Sequence, residues 1–204
     1  MRLVDTHCHL TEPPLANHLD EVLERAASVG VGEVVVPAYD TASWSAVAAV
    51  TASRPGLHPA FGLHPWVADE ELCLDELELV LRTGGAVAVG EIGLDFKIET
   101  FDRQRQLEVL DRQLALAVEL DLPVLLHCRG AFPELTGAVA RFAPRLRGVV
   151  HAYSRGPEPA LAFVDLGLHI AFGGAITRPN AGRARHTAAV VPLEVQVGRR
   201  DDAV

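Results

Sequence analysis

The residues best placed to do chemistry in this 204-residue chain are histidines and one glutamate, each beside an apolar run. His7 and His9 stand one residue apart in Leu3-Val4-Asp5-Thr6-His7-Cys8-His9-Leu10, which reads as a short buried strand. Successive strand residues face opposite ways, so both imidazoles share one side and Cys8 takes the other. Two neutral imidazoles on a rigid base can grip one cation. They can equally be strand-end histidines satisfied by hydrogen bonds. His127 follows Val124-Leu125-Leu126, and His151 follows Gly148-Val149-Val150. Taken singly, each is more often a satisfied core residue than a ligand. Glu91 lies between Gly90 and Gly93, whose small size lets a carboxylate reach inward and bridge two metals. The plainer reading is an acid near a helix start, stabilised by the helix dipole. His64, in Leu63-His64-Pro65, is open to three readings: ligand, substrate contact, or structural group fixed by Pro65. Substrate contact is the one expected here. Arg129 and Arg155 follow apolar runs and are candidate planar donors to a substrate phosphate, or ordinary surface arginines.

These side chains need a frame, and the hydrophobic pattern supplies one. Short apolar runs near Glu33–Pro37, Leu57–Leu63, Ala86–Val89, Val124–Leu126, Gly148–Val150 and Leu168–Phe172 alternate with stretches of helical period. Helices are predicted over about 42–53, 70–81, 101–120, 134–142, 157–164 and 183–190, with an earlier one ended by Gly30. Strands this apolar are buried on both faces, which argues for a parallel α/β architecture. An open doubly wound sheet would spread the polar residues along an edge and concentrate chemistry at one switch point. His7, His9, His64, Glu91, His127 and His151 instead follow the carboxyl ends of different strands. In a (β/α) barrel those ends converge on one face, where active sites are built. The expected fold is therefore a TIM-type (β/α) barrel, incomplete at its C-terminus. Leu193 to Val197 is a weak eighth strand, and no helix follows to cover it. On one face together, these residues favour a metal site.

Composition narrows the field further. With 49% hydrophobic residues the chain can bury a core, and residues 1–204 show no linker or repeat that would divide them. No apolar run is long enough for a membrane span, and with the first strand predicted from Leu3 no signal peptide is expected. Cys8, Cys73 and Cys128 do not look like a disulfide framework, so a cytoplasmic setting is expected; Cys8 and Cys128 read as small buried hydrophobes. A net charge of −9 does not advertise a nucleic-acid binder, although divalent ions in the acid cluster would change the local field.

Five stretches taken in order carry a resemblance. Val4-Asp5-Thr6-His7-Cys8-His9-Leu10, Gly62-Leu63-His64-Pro65, Gly90-Glu91-Ile92-Gly93-Leu94-Asp95, Pro123-Val124-Leu125-Leu126-His127-Cys128-Arg129 and Val150-His151-Ala152-Tyr153-Ser154 together resemble the TatD family of metal-dependent hydrolases and deoxyribonucleases. The resemblance implies His7, His9, Glu91, His127 and His151 as ligands of one or two divalent metal ions (Zn, Mg or Mn). It implies phosphodiester cleavage of DNA; a metal-activated water, DNA or a small phosphodiester as substrate, catalytic roles for Glu91 and Asp201, and no obligate protein partner are expected with it. It also implies an acid at the end of the eighth strand. Asp201 falls there by spacing, although Gly198-Arg199-Arg200 before it departs from the family pattern. Against that pattern, residues 1–204 are expected to form one hydrolase domain, truncated at the C-terminus relative to the family. Two other outcomes are open on the same residues: a metal-dependent amide or aminoacyl-ester hydrolase, and an inactive metal-binding barrel.

Overall fold

Strands and helices alternate through residues 3–69 and 74–197, the residues that the computed structural model describes. In order they are β1 (Leu3–Asp5), α1 (Leu19–Ser28), β2 (Val31–Pro37), α2 (Thr41–Ser53), β3 (Leu57–Phe61), α3 (Leu74–Thr83), β4 (Ala88–Asp95), α4 (Arg103–Glu119), β5 (Val124–Arg129), α5 (Phe132–Ala140), β6 (Gly148–Val150), α6 (Pro157–Asp165), β7 (Leu168–Ala171), α7 (Gly182–Val190) and β8 (Gln196–Val197). All eight strands lie in one parallel sheet in sequence order. Parallel neighbours need a crossover, and a helix supplies each one. Among the described residues β1 pairs with β2 alone and β8 with β7 alone. The fold is thus the incomplete TIM-type barrel expected, and a cavity of about 390 Å³ bounded by Leu3, Val4, Ala171 and Val197 runs along its open seam.

Period-2 alternation sorts the strand residues into two layers. Ala60, Ala88, Leu125, Val149 and Ala171, with Val35 and Val197 against them, form a small cluster inside the barrel. Their strand neighbours Val36, Phe61, Val89, Val124, Leu126, Val150 and Ile170 join the larger core that the helices cover. Continuing the inward series past Leu125 and Val149 reaches His127 and His151. Along β4 the same count fails: Ala88 faces inward and Val89 outward, yet Ile92 and Leu94 also belong to the outer core. The pairing of β4 with β5 shifts register between Val89 and Ile92. That irregularity, a bulge in effect, turns Glu91 into the barrel and leaves Asp95 on the same face.

Three departures from the predicted elements are local. β1 ends at Asp5, so His7 and His9 lie in the segment after the strand, held to β2 through Cys8 N donating to Val35 O at 3.0 Å. The long helix starts at Arg103 because the Asp102 carboxylate accepts from Arg105 N at 3.0 Å and caps it. The eighth strand is present but brief, with a 3-10 turn over Leu193–Val195 where strand was expected. The helix predicted from residue 70 is described from Leu74 onward, and residues 70–73 lie outside the described residues.

Candidate metal centre

Glu91 is the hub of the barrel's carboxyl-end face. Its side chain is 3% exposed, and imidazoles surround both oxygens. Glu91 Oε2 lies 3.1 Å from Nε2 of His7 and 3.1 Å from Nε2 of His9. Glu91 Oε1 lies 3.0 Å from His127 Nδ1, 2.6 Å from His151 Nε2 and 3.4 Å from His64 Nε2. The His7 and His9 Nε2 atoms are themselves 3.1 Å apart, and the His7 and His151 rings stack with centroids 3.9 Å apart. All five residues named as ligands from the sequence therefore meet at one carboxylate, and His64 joins them.

The donor set fits divalent ions. His7, His9 and Glu91 offer one group of converging donor atoms, and His64, Glu91 and His127 a second that shares the carboxylate. Donors held about 2.1 Å from one ion stand roughly 3.0–3.4 Å from each other, and the donor atoms of His7, His9 and Glu91 are all 3.1 Å apart. Imidazole and carboxylate suit zinc, manganese and magnesium without choosing among them.

Protonation states follow from the same contacts. Burial pushes the His7 imidazole down to about 4, against the pull of Glu91, so it is neutral near pH 7. Burial likewise lowers His64. Burial opposes charge on His9 too, but the hydrogen bond and charge of Glu91, together with the Pro37 backbone and Glu12, outweigh it and raise this imidazole. For Glu91, burial would raise the carboxyl, yet hydrogen bonds from His127, His151, His64 and His7 hold it well below the usual carboxylate range. The hub is an anion.

A second carboxylate, the fully buried Asp95, stands behind His127. Asp95 Oδ2 accepts from Trp66 Nε1 at 3.0 Å, faces His127 Nε2 at 3.3 Å and accepts from Arg129 Nη1 at 3.2 Å. With Nε2 turned to Asp95, His127 presents Nδ1 to Glu91, the kind of contact by which a carboxylate fixes the orientation of an imidazole. Burial resists charge on Asp95, but these donors and the Lys97 amide lower its carboxyl. Its backbone is clamped as well. Gln106, on the inner face of α4, accepts from Asp95 N at 2.9 Å and donates to Asp95 O at 3.1 Å. Two turns further on, Gln113 does the same for Leu63, just before His64, at 2.8 and 3.1 Å. Asp95, Trp66, Gln106 and Gln113 received no role from the sequence. The available signal was Asp95 on the Glu91 side of β4 and two glutamines seven apart within an otherwise apolar helix face.

The remaining expected residues stand at the rim. Arg129 is half-exposed beside Asp95, and Arg155 lies with its guanidinium 5.6 Å above the Phe132 ring; both border one cavity. Cys8 and Cys128 are free thiols packed on the core, and burial pushes them up to about 11 and about 12. Asp201 lies outside the described residues.

Comparison with known proteins sets this site in a family. The family described as TatD related DNase matches residues 4–197. The uncharacterized metal-dependent hydrolase YjjV of Escherichia coli is 39% identical over 196 residues, covering 94% of this chain and 76% of the relative. Its crystal structure superposes with a TM-score of 0.90, covering 96% of this chain and 77% of that one. The 3′-5′ ssDNA/RNA exonuclease TatD of Pantoea ananatis is 30% identical over 200 residues, covering 94% of this chain and 76% of the relative. A TatD family hydrolase of Entamoeba histolytica, at 22% identity and a TM-score of 0.84, shares the fold. Matched almost end to end, with its histidines and glutamate gathered on one barrel face, this chain belongs to the TatD family.

Proposed function

We propose that this protein is a divalent-metal-dependent hydrolase that cleaves phosphodiester bonds in DNA. The observation that carries the reading is the buried Glu91 carboxylate shared by two groups of converging donors. His7, His9, Glu91, His127 and His151 are its proposed ligands, with His64 close enough to contribute to the second group. What a bound divalent ion supplies is polarisation of a phosphoryl oxygen and acidification of water, from a pKa of about 15.7 to about 7. Glu91 contributes a permanent negative charge at the centre, and neutral His7 offers a lone pair without first releasing a proton. Asp95 holds the His127 ring. Arg129 and Arg155 present guanidinium groups to the anionic substrate, and Asp201 is the proposed acceptor of the water's proton, on spacing alone. A nuclease reading draws support from the name of the Pantoea relative, and the amide and ester alternatives from the variety of chemistry that one fold hosts. A cytoplasmic location fits two free thiols and, among the described residues, no helix long and apolar enough to cross a membrane.

The test is a substrate panel with metal-loaded protein: a short single-stranded oligonucleotide, an aryl phosphodiester, and amide and ester analogues. Phosphodiester hydrolysis should disappear with chelator and return with a divalent ion. Glu91→Gln keeps the shape and removes the charge, and should lower kcat/KM at least about 100-fold. Turnover of amides alone, or a Glu91→Gln variant as active as its parent, would refute the reading. A chain that binds metal yet turns over nothing would be the inactive barrel.

A further inference from the structure

Beside the metal centre, four successive strand ends contribute to a cavity of about 350 Å³ that is lined by cations. Lys97 follows β4, Arg129 closes β5, Arg155 follows β6, and Arg178, Asn180 and Arg183 come from the β7–α7 connection and the start of α7. No Asp or Glu is among the residues that line it, in a chain with 27 acidic and 18 basic residues. Among the described residues no carboxylate pairs with Lys97, Arg155, Arg178 or Arg183, whereas Arg54, Arg82, Arg103, Arg141 and Arg147 all have ion-pair partners. Like charges gathered in a recess repel one another and focus a positive potential there, so the arrangement favours an anion.

The backbone that carries these cations is fixed. The Arg185 guanidinium donates to three carbonyls of the β7–α7 connection: Ile176 at 3.1 Å, Arg178 at 2.7 Å and Pro179 at 3.0 Å. The buried Thr187 hydroxyl donates to Arg155 O at 2.7 Å. The Lys97 stem crosses Gly130 so closely that a Cβ there would come within 2.9 Å of its Cε. Arg129 links the cavity to the metal centre, since the Asp95 oxygen that it contacts also faces His127.

We propose that this cavity is a second phosphate subsite, which holds a non-scissile phosphate of a single-stranded polynucleotide while the neighbouring phosphodiester lies at the metal centre. The proposal rests on the phosphodiesterase reading above for what happens at Glu91. Cations spread over four strand ends suit a run of phosphates better than a single monoester, and planar guanidinium groups suit phosphate oxygens. The subsite also gives a protein of net charge −9 a local means of holding a polyanion.

The experiment is fluorescence anisotropy with 5′-fluorescein-labelled hexathymidylate in excess chelator, from 50 to 200 mM salt, so that no cleavage is needed for the readout. Arg178→Ala/Arg183→Ala should weaken binding about tenfold and reduce the slope of log affinity against log salt by about 0.7, the value for one phosphate that is no longer neutralised. Arg178→Lys/Arg183→Lys keeps the charges and should restore most of the slope. Arg25→Ala/Arg112→Ala removes the same charge from α1 and α4 and should leave the slope as in the parent. With metal present, the Arg178→Ala/Arg183→Ala variant should also lower the ratio of kcat/KM for the oligonucleotide to that for an aryl phosphodiester. No binding by the parent, an unchanged slope in the alanine variant, or an equal fall in the α1/α4 control overturns the subsite. A slope that falls as expected in a protein hydrolysing no phosphodiester retains the subsite and refutes the phosphodiesterase reading. Hydrolysis with an unchanged slope does the reverse.

Discussion

Five imidazoles around one buried carboxylate hold their positions only if each ring is turned the right way. For His127 that task falls to Asp95, which also takes hydrogen bonds from Trp66 and Arg129. Asp95→Asn keeps size and backbone, and Gln106 still clamps the main chain. It removes the negative charge that selects the His127 orientation. Metal affinity should fall about 10–100-fold while the thermal midpoint of the metal-free protein changes little. A competitive titration with a chromophoric chelator measures the first and calorimetry the second. Unchanged affinity would mean that Glu91 alone orients the ring. His7 is poised differently. Burial holds it neutral down to about 4, so at neutral pH it need not shed a proton to accept an ion.

At the scale of elements, the contact between β4 and β5 sets the site, because those strands carry Glu91, Asp95 and His127. Gly93 allows their close approach: its φ is +145°, and a Cβ there would stand 2.1 Å from His127 O. Gly93→Ala should cost about 3 kcal/mol or more, from an unfavourable backbone conformation together with overpacking. Gly137→Ala is the comparison. That glycine lies exposed in α5 with nothing near its missing Cβ, and alanine should stabilise by up to about 1 kcal/mol. Denaturant titration of both variants checks the contrast, and equal stabilities would contradict it. The same strands show what a sequence can and cannot tell. His127 and His151 were legible because each continues an unbroken inward series of its strand. Glu91 breaks its series, since a period of two from Ala88 sends it outward, and only the register shift beside it turns it in. Gln106 and Gln113 were not legible at all. A polar residue on an apolar helix face gains meaning from its partner, and here the partners lie 11 and 50 residues away.

For the whole molecule, the order of strands and the position of the site came through because a parallel sheet announces itself in apolar runs separated by helical stretches. The closing seam came through only in outline: a weak eighth strand was expected over Leu193 to Val197, and only Gln196–Val197 pair as β8, too few residues for any periodicity to register. An anionic molecule with a cationic cavity next to an anionic hub has its charge arranged by place rather than by total. Whether that hub holds metal decides the proposed function. The most direct measurement is elemental analysis of protein loaded with zinc or manganese and then freed of excess by gel filtration, beside a His7→Ala/His9→Ala variant that circular dichroism shows to be folded. One to two ions per chain in the parent and a clear loss in the variant are the predicted result. Equal metal content in the two, or none in the parent, would contradict the account.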